Sequence, residues 1–104
     1  MPMYILHAID RPGMLQRRLE FYAEHRAFLD KRDEAGPVYI VMSGPLQADD
    51  GKTMTGSLLL LEAPDREAVE RLVADDPFTR EEIWGEVLIS RFFRRPRPVP
   101  PTTR

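Results

Sequence analysis

The chain contains no cysteine and only two histidines among its 104 residues. The absence of thiols excludes disulfides, thiol catalysis and thiolate metal sites. The histidines, His7 and His25, belong to different predicted elements and have no suitably spaced carboxylates, so they make a poor metal site. No glycine-rich phosphate-binding loop is present either. We therefore expect neither a metal nor any other cofactor.

A long hydrophobic run is also missing. The apolar start of the chain is interrupted by His7 and Asp10, which fits neither a signal peptide nor a membrane span. Residues 94–104 carry four arginines and no acid, so the net charge of −2 conceals a charge of −6 on residues 1–93. An acidic body argues against nucleic acid, because phosphate binding needs a basic face. We expect a cytoplasmic protein that binds neither membrane nor nucleic acid.

The composition is that of one folded domain, with 42% hydrophobic and 31% charged residues. We assign residues 1–93 to this domain. Residues 94–104 form a tail rich in proline and arginine, and we expect it to be disordered or extended.

Hydrophobic periodicity and turn signals predict the element order β-α-β-β-α-β. This is the order of the ferredoxin-like motif, an α+β fold in which both helices cover one face of a four-stranded antiparallel sheet. A further short turn or helix is expected just before the last strand. The predicted elements are strand 3–9, helix 14–33, strand 38–42, strand 56–62, a helix capped by Asp65, and strand 86–93.

The predicted strands are apolar on both faces. In the first strand Met3 and Ile5 point one way while Tyr4 and Leu6 point the other, and residues 58–61 have no polar side at all. A sheet with one wet face should alternate polar and apolar residues. We therefore expect a homodimer, in which a second copy covers the face that the helices leave open. The alternative is that the tail folds back over that face.

The long helix places His25 in the middle of an apolar arc, with Arg18 on the same side. A cation and an imidazole in such an arc need polar partners or a pocket. The alternative is a core histidine bonded to a backbone carbonyl, with Arg18 extending to water. The apolar members of the arc are Leu15, Leu19, Phe21, Tyr22, Phe28 and Leu29.

Asp76 is the second candidate. An aspartate before Pro77 is a good N-cap for a short helix, and this structural role explains the residue without any catalysis. The functional alternative is that Asp76 orients His25 or shares its proton, which a capping role would not prevent. Ser43-Gly44-Pro45 and Gly56-Ser57 are interpreted as turns at strand ends.

These features together resemble the YCII (YciI-like) family over about residues 3–93. The individual motifs are short, but their order and spacing match. They are Tyr4-Ile5, Asp10-Arg11-Pro12-Gly13, Arg18, His25-x-x-Phe28-Leu29, Ser43-Gly44-Pro45-Leu46, Gly56-Ser57-Leu58, Glu62-Ala63 and Asp75-Asp76-Pro77-Phe78.

The resemblance implies a dimeric α+β barrel, in which two ferredoxin-like sheets face each other. It also implies a catalytic His25–Asp76 dyad in a pocket that Arg18, Ser43 and Gly44 line as substrate-binding residues. The implied function is acid–base chemistry on a small cyclic or aromatic metabolite, by a lyase or isomerase that needs no cofactor. The alternatives are a non-catalytic ligand-binding or accessory homodimer, and a protein that docks partners through its tail.

Overall fold

The computed structural model describes residues 1–96. Its four strands form one antiparallel sheet in the order β2-β3-β1-β4, which confirms the predicted β-α-β-β-α-β topology. Of the predicted tail, residues 97–104 lie outside the described part of the chain. The elements are β1 Met3–Asp10, α1 Leu15–Ala35, β2 Tyr39–Gln47, β3 Met54–Glu62, α2 Arg66–Asp75, α3 Pro77–Arg80 and β4 Trp84–Phe92.

Two helices begin at aspartate caps, as the sequence predicts. The Asp65 carboxylate accepts a hydrogen bond from the Ala68 amide at 2.9 Å, which satisfies one of the free N–H groups of the first turn of α2. Asp76 does the same for α3, with Pro77 in the first turn. Helix α1 ends at Gly36, whose φ of 66° lies in the left-handed region that glycine tolerates best.

The core lies between one sheet face and the helices. On β1 the side chains of Tyr4, Leu6 and Ala8 are buried, and Leu59 and Leu61 of the neighbouring β3 join them. Helices α2 and α3 add Val69, Leu72 and Phe78 to the same cluster. Burying these groups on one side of the sheet provides most of the hydrophobic stabilisation available to a domain of this size.

The opposite sheet face, called the open face below, is covered by no helix. Along β1 its residues alternate with the buried ones and remain half-buried or exposed. Two of its apolar side chains, Met42 and Leu88, are more than half exposed. The register places its apolar members on all four strands: Met3, Ile5, Ile9, Met42, Leu58, Leu60, Leu88 and Phe92.

Two local predictions are wrong. Ser43-Gly44-Pro45 does not end a strand, because β2 continues to Gln47, and Gly56-Ser57 lies inside β3. β2 is an edge strand, where a proline without an N–H group is tolerated. Gly56 marks a close approach of two strands, since a Cβ there would lie 2.2 Å from the Ala8 carbonyl oxygen.

The buried stripe of α1 is narrower than predicted. Leu19 is 48% exposed, whereas Arg18, His25 and Leu29 are the buried residues of this helix. The polar pair therefore forms most of the inward-facing stripe instead of interrupting an apolar one. In residues 1–96 no helix is both long enough and apolar enough to span a bilayer.

Candidate active site

A cavity of about 370 Å³ lies between helix α1 and strands β2 and β3. Four of the predicted site residues line it: Arg18 and His25 from α1, and Ser43 and Gly44 from β2. Asp76 is fully buried and contacts His25 instead of the cavity. The structure therefore places all five predicted residues in one region, with Asp76 behind His25 and away from the cavity wall.

His25 is held by a carboxylate. Its Nδ1 lies 2.8 Å from Asp76 Oδ1, and both side chains are buried. The same oxygen accepts the Phe78 amide at 2.8 Å, so the N-cap and the histidine contact use a single atom. An ionised carboxylate has no proton to donate, so Nδ1 is the donor in this contact, and a neutral imidazole then keeps its lone pair on Nε2. The alternative of a histidine bonded to a backbone carbonyl is not what the structure shows.

Two aromatic rings fix the plane of the imidazole. Phe78 stacks on it with centroids 4.0 Å apart and planes at 6°, and Trp84 meets it edge-on at 5.8 Å. Trp84 and Phe78 also contact each other at nearly right angles. The His25 ring therefore has little freedom to turn away from Asp76 or from the cavity.

Arg18 is buried and does not extend to water, contrary to the alternative interpretation of the sequence. Its Nε and Nη2 donate to Asp10 Oδ2 at 2.6 Å and Oδ1 at 3.0 Å, a two-pronged ion pair. Nη2 also donates to Ser57 Oγ at 2.7 Å. The guanidinium lies 4.6 Å from the Phe78 ring centroid. Nη1 takes no part in these hydrogen bonds.

Three residues of this site are not predicted by the sequence. They are Asp10, which lies just past the predicted strand 3–9, Ser57, which is interpreted as part of a strand-end turn, and Trp84, which precedes the predicted strand 86–93. A signal existed for the first two, because Asp10 shares the strand periodicity of the buried Leu6 and Ala8, and Ser57 that of Leu59. Polar side chains in a helix-facing register need buried partners. No signal in the sequence pointed to Trp84, whose Nε1 donates to Ser57 Oγ at 3.2 Å.

Residues 1–96 contain no group of three or more histidine, aspartate or glutamate side chains arranged to hold a metal ion. The polar side chains that line the cavity are the imidazole of His25, the guanidinium groups of Arg18 and Arg26, the carboxylates of Asp30 and Asp33, and the hydroxyls of Tyr22, Ser43 and Ser57. Imidazole, guanidinium and hydroxyl groups suit proton transfer and hydrogen bonding to oxygen.

Residues 2–93 match the YCII-related domain. This chain belongs to the YCII-related family. The match spans every strand and helix described above, so fold and cavity both belong to the family domain. Among curated proteins, no significant match was found.

One solved structure is similar in both sequence and fold. It is the 5-chloro-2-hydroxyhydroquinone dehydrochlorinase of Burkholderia phenoliruptrix in complex with 2,5-dihydroxybenzoquinone. It shares 33% identity, covers 89% of this chain and 95% of its own, and superposes with a TM-score of 0.78. A YCII-family chain is thus similar to an enzyme that acts on a small hydroxylated ring compound.

Two further structures show the fold alone. An antibiotic biosynthesis monooxygenase is 19% identical over 92% of this chain and all of its own, with a TM-score of 0.54. A protein of Pseudomonas aeruginosa is 22% identical over 91% of this chain and 95% of its own, with a TM-score of 0.51. Both share the α+β fold described above.

Proposed function

We propose that this YCII-family protein is an enzyme that removes a proton from a small hydroxylated ring compound, with His25 as the general base. The observation that carries the proposal is the 2.8 Å contact between His25 Nδ1 and Asp76 Oδ1, buried beside a cavity that His25 lines. A histidine whose role is only to support the fold needs neither a buried carboxylate as a partner nor a ring edge that lines a cavity. The similarity to a dehydrochlorinase supports the choice of substrate class.

The proposed step uses both nitrogens of the ring. Nε2 takes a proton from a ring hydroxyl while Nδ1–H stays bonded to Asp76, whose negative charge stabilises the imidazolium that forms. The electron pair left on oxygen forms a C=O bond. Where the ring carries a leaving group such as chloride, His25 returns the proton to the carbon that bears this group, which gives the keto tautomer. Removal of a second hydroxyl proton then forms another C=O bond, the adjacent ring double bond shifts, and the leaving group departs with its bonding pair. His25 releases this second proton to water, so the net change is the loss of H–X. Atoms and charge balance without an oxidant or a reductant.

The other predicted residues have binding roles in this proposal. Arg18 presents Nη1 to an oxygen that gains negative charge, while its two other donor nitrogens stay fixed on Asp10 and Ser57. Ser43 and Gly44 form the β2 wall of the cavity. A ring compound fits a site that holds polar groups on the α1 side and an edge strand on the other.

We also propose that the enzyme is a homodimer joined through the open face. Its apolar side chains come from all four strands, and two of them, Met42 and Leu88, are more than half exposed. Leaving several leucine and isoleucine side chains in water would forfeit roughly several kcal/mol at about 25 cal/mol per Å². A second copy offers a surface of the same size and chemistry, and two sheets stack face to face about 10 Å apart.

The test is turnover of 5-chloro-2-hydroxyhydroquinone and related hydroxylated rings, measured as the release of chloride and as the change in absorbance of the ring compound. His25→Ala and His25→Asn should each lower kcat by about 10² to 10⁴, because Asn keeps a donor for Asp76 but offers no base. His7→Asn is the matched control, since His7 belongs to the sheet face opposite the cavity. Turnover that survives in His25→Ala rules out the mechanism. Ring compounds that bind without turnover in the wild type indicate an accessory binding dimer instead.

A further inference from the structure

The Ser57 hydroxyl has an unusual set of partners. Its Oγ accepts from Arg18 Nη2 at 2.7 Å and from Trp84 Nε1 at 3.2 Å. A hydroxyl oxygen has two lone pairs and one proton, whereas a guanidinium and an indole N–H are donors only. Both lone pairs are therefore occupied, and neither partner is able to take the proton. Within residues 1–96 no acceptor is hydrogen-bonded to Ser57.

The remaining direction for this proton is the cavity. Ser57 is buried yet lines the cavity wall, and so does Arg18. Trp84 does not line the cavity and approaches Oγ from the protein interior. We infer that the Ser57 hydroxyl is a dedicated donor to the ligand, so the site selects a ring oxygen that accepts a hydrogen bond over one that must donate. The inference rests on the proposed function and narrows its substrate class.

Which ligand oxygens Ser57 binds follows from the number of hydrogen-bond donors and acceptors that each group has. A quinone carbonyl or a phenolate oxygen accepts the Ser57 proton. A phenolic hydroxyl that needs an acceptor finds no lone pair at Ser57, and an unpaired polar group in a buried site is costly. In the proposed elimination, Ser57 would bind the oxygen that becomes or already is a carbonyl, beside Nη1 of Arg18. The carbonyl oxygen of the product is then bound by hydrogen-bond donors only.

A neutron structure of the ligand-free protein in D₂O tests the donor directly. We expect the deuteron of Ser57 to point into the cavity, with any ordered water there accepting it. A deuteron directed at Asp10 or at a backbone carbonyl would overturn the inference. This measurement does not depend on any substrate, so it separates the inference from the proposed function.

Calorimetric titration tests whether the site prefers a ring oxygen that accepts a hydrogen bond. The probes are 2,5-dihydroxybenzoquinone and its two-electron reduced form, 1,2,4,5-tetrahydroxybenzene, measured under argon. Ser57→Ala should weaken the quinone about tenfold, the scale of one lost hydrogen bond, and should change binding of the reduced form much less. Trp84→Phe removes a partner that approaches Oγ from the interior and leaves the proton facing the cavity, so both probes should keep their affinities.

The outcomes are distinguishable. Equal weakening of both probes in both variants would mean that Ser57 and Trp84 only support the fold, and the inference would fall. If neither probe binds the wild type but the deuteron faces the cavity, the proposed ring substrate is wrong and the donor assignment stands. Thermal unfolding of each variant confirms that the binding measurements concern folded protein.

Discussion

The imidazole of His25 lies parallel to the ring of Phe78, with 4.0 Å between the centroids and 6° between the planes. The residue that supplies this ring is two positions after Asp76, whose Oδ1 accepts both His25 Nδ1 and the Phe78 amide. The Arg18 guanidinium lies over the same phenyl ring, 4.6 Å from the ring centroid. A single helical turn, α3, therefore contacts both His25 and Arg18, two of the polar groups that α1 presents to the cavity.

Asp76 combines a capping role with a role in positioning His25, and two substitutions separate them. Asp76→Asn keeps a good N-cap, so unfolding by urea should change little, but the amide removes the charge that stabilises an imidazolium and permits the wrong tautomer. We expect kcat on a ring substrate to fall by about 10² or more. Asp76→Ala should lose the activity and also about 1–2 kcal/mol of stability.

The contrast between these two variants is the informative result. If Asp76→Asn retained full kcat, the carboxylate would be a cap and nothing more. Asp65→Asn is the matched control, because Asp65 caps α2 in the same way without touching His25. Its kcat should equal that of the wild type.

The Arg18–Asp10 ion pair predicts a strongly non-additive stability. The two side chains are 1% and 8% exposed, so Arg18→Met leaves a carboxylate desolvated and unpaired. That change should cost about 3–5 kcal/mol, whereas the double variant Arg18→Met with Asp10→Leu should recover most of the loss. Urea unfolding at one fixed protein concentration measures both values. Losses that simply add would contradict the coupling.

The open face predicts a dimer that one lysine disrupts. Leu88 is 54% exposed in the single chain, so Leu88→Lys should leave the subunit folded while placing a charge in the sheet-to-sheet interface. Light scattering should show a dimer for the wild type and a monomer for the variant. Leu19→Lys changes a leucine of similar exposure, 48%, on α1 and should remain dimeric. A wild type that is monomeric in dilute solution contradicts the interface.

The loop between β2 and β3 gives a pH prediction. The pKa of Asp50 is lowered below its ordinary 3.8, first by the Thr53 hydroxyl and then by the Thr53 and Lys52 amides, which donate to the carboxylate. A lowered folded pKa means that the carboxylate stabilises the loop above 3.8, and that this contribution disappears as pH falls through the folded value. Thr53→Val removes the largest cause.

Carboxyl NMR titration of Asp50 checks this directly. The pKa should lie below 3.8 in the wild type and move back towards it in Thr53→Val. Thr55→Val is the control, because Thr55 makes no contact with Asp50. An Asp50 pKa unchanged by Thr53→Val would show that the hydroxyl is not the cause.

Much of the architecture was readable in the sequence because it depends on local periodicity. Apolar residues at consecutive positions of β1 and β3 predict strands with two apolar faces, and the 3.6-residue period predicts that Arg18 and His25 share one side of α1. Asp76 before Pro77 predicts a cap, since a cap needs only its own next few residues. The extent of β2 was misjudged because proline tolerance depends on whether a strand is at the edge, and strand order is not a local property.

The contacts that define the site were decided by the tertiary structure. His25 and Asp76 are 51 residues apart, and no spacing rule specifies that their atoms meet at 2.8 Å. Asp10, Ser57 and Trp84 come together around Arg18 only because β1 lies between β3 and β4 in the sheet. The amino-acid sequence by itself determined which side chains share one face of each strand and one side of α1. The packing of α1 and α3 against that sheet determined which of the buried polar groups became partners, because a desolvated charge or hydroxyl is stable only where another element supplies its hydrogen bond.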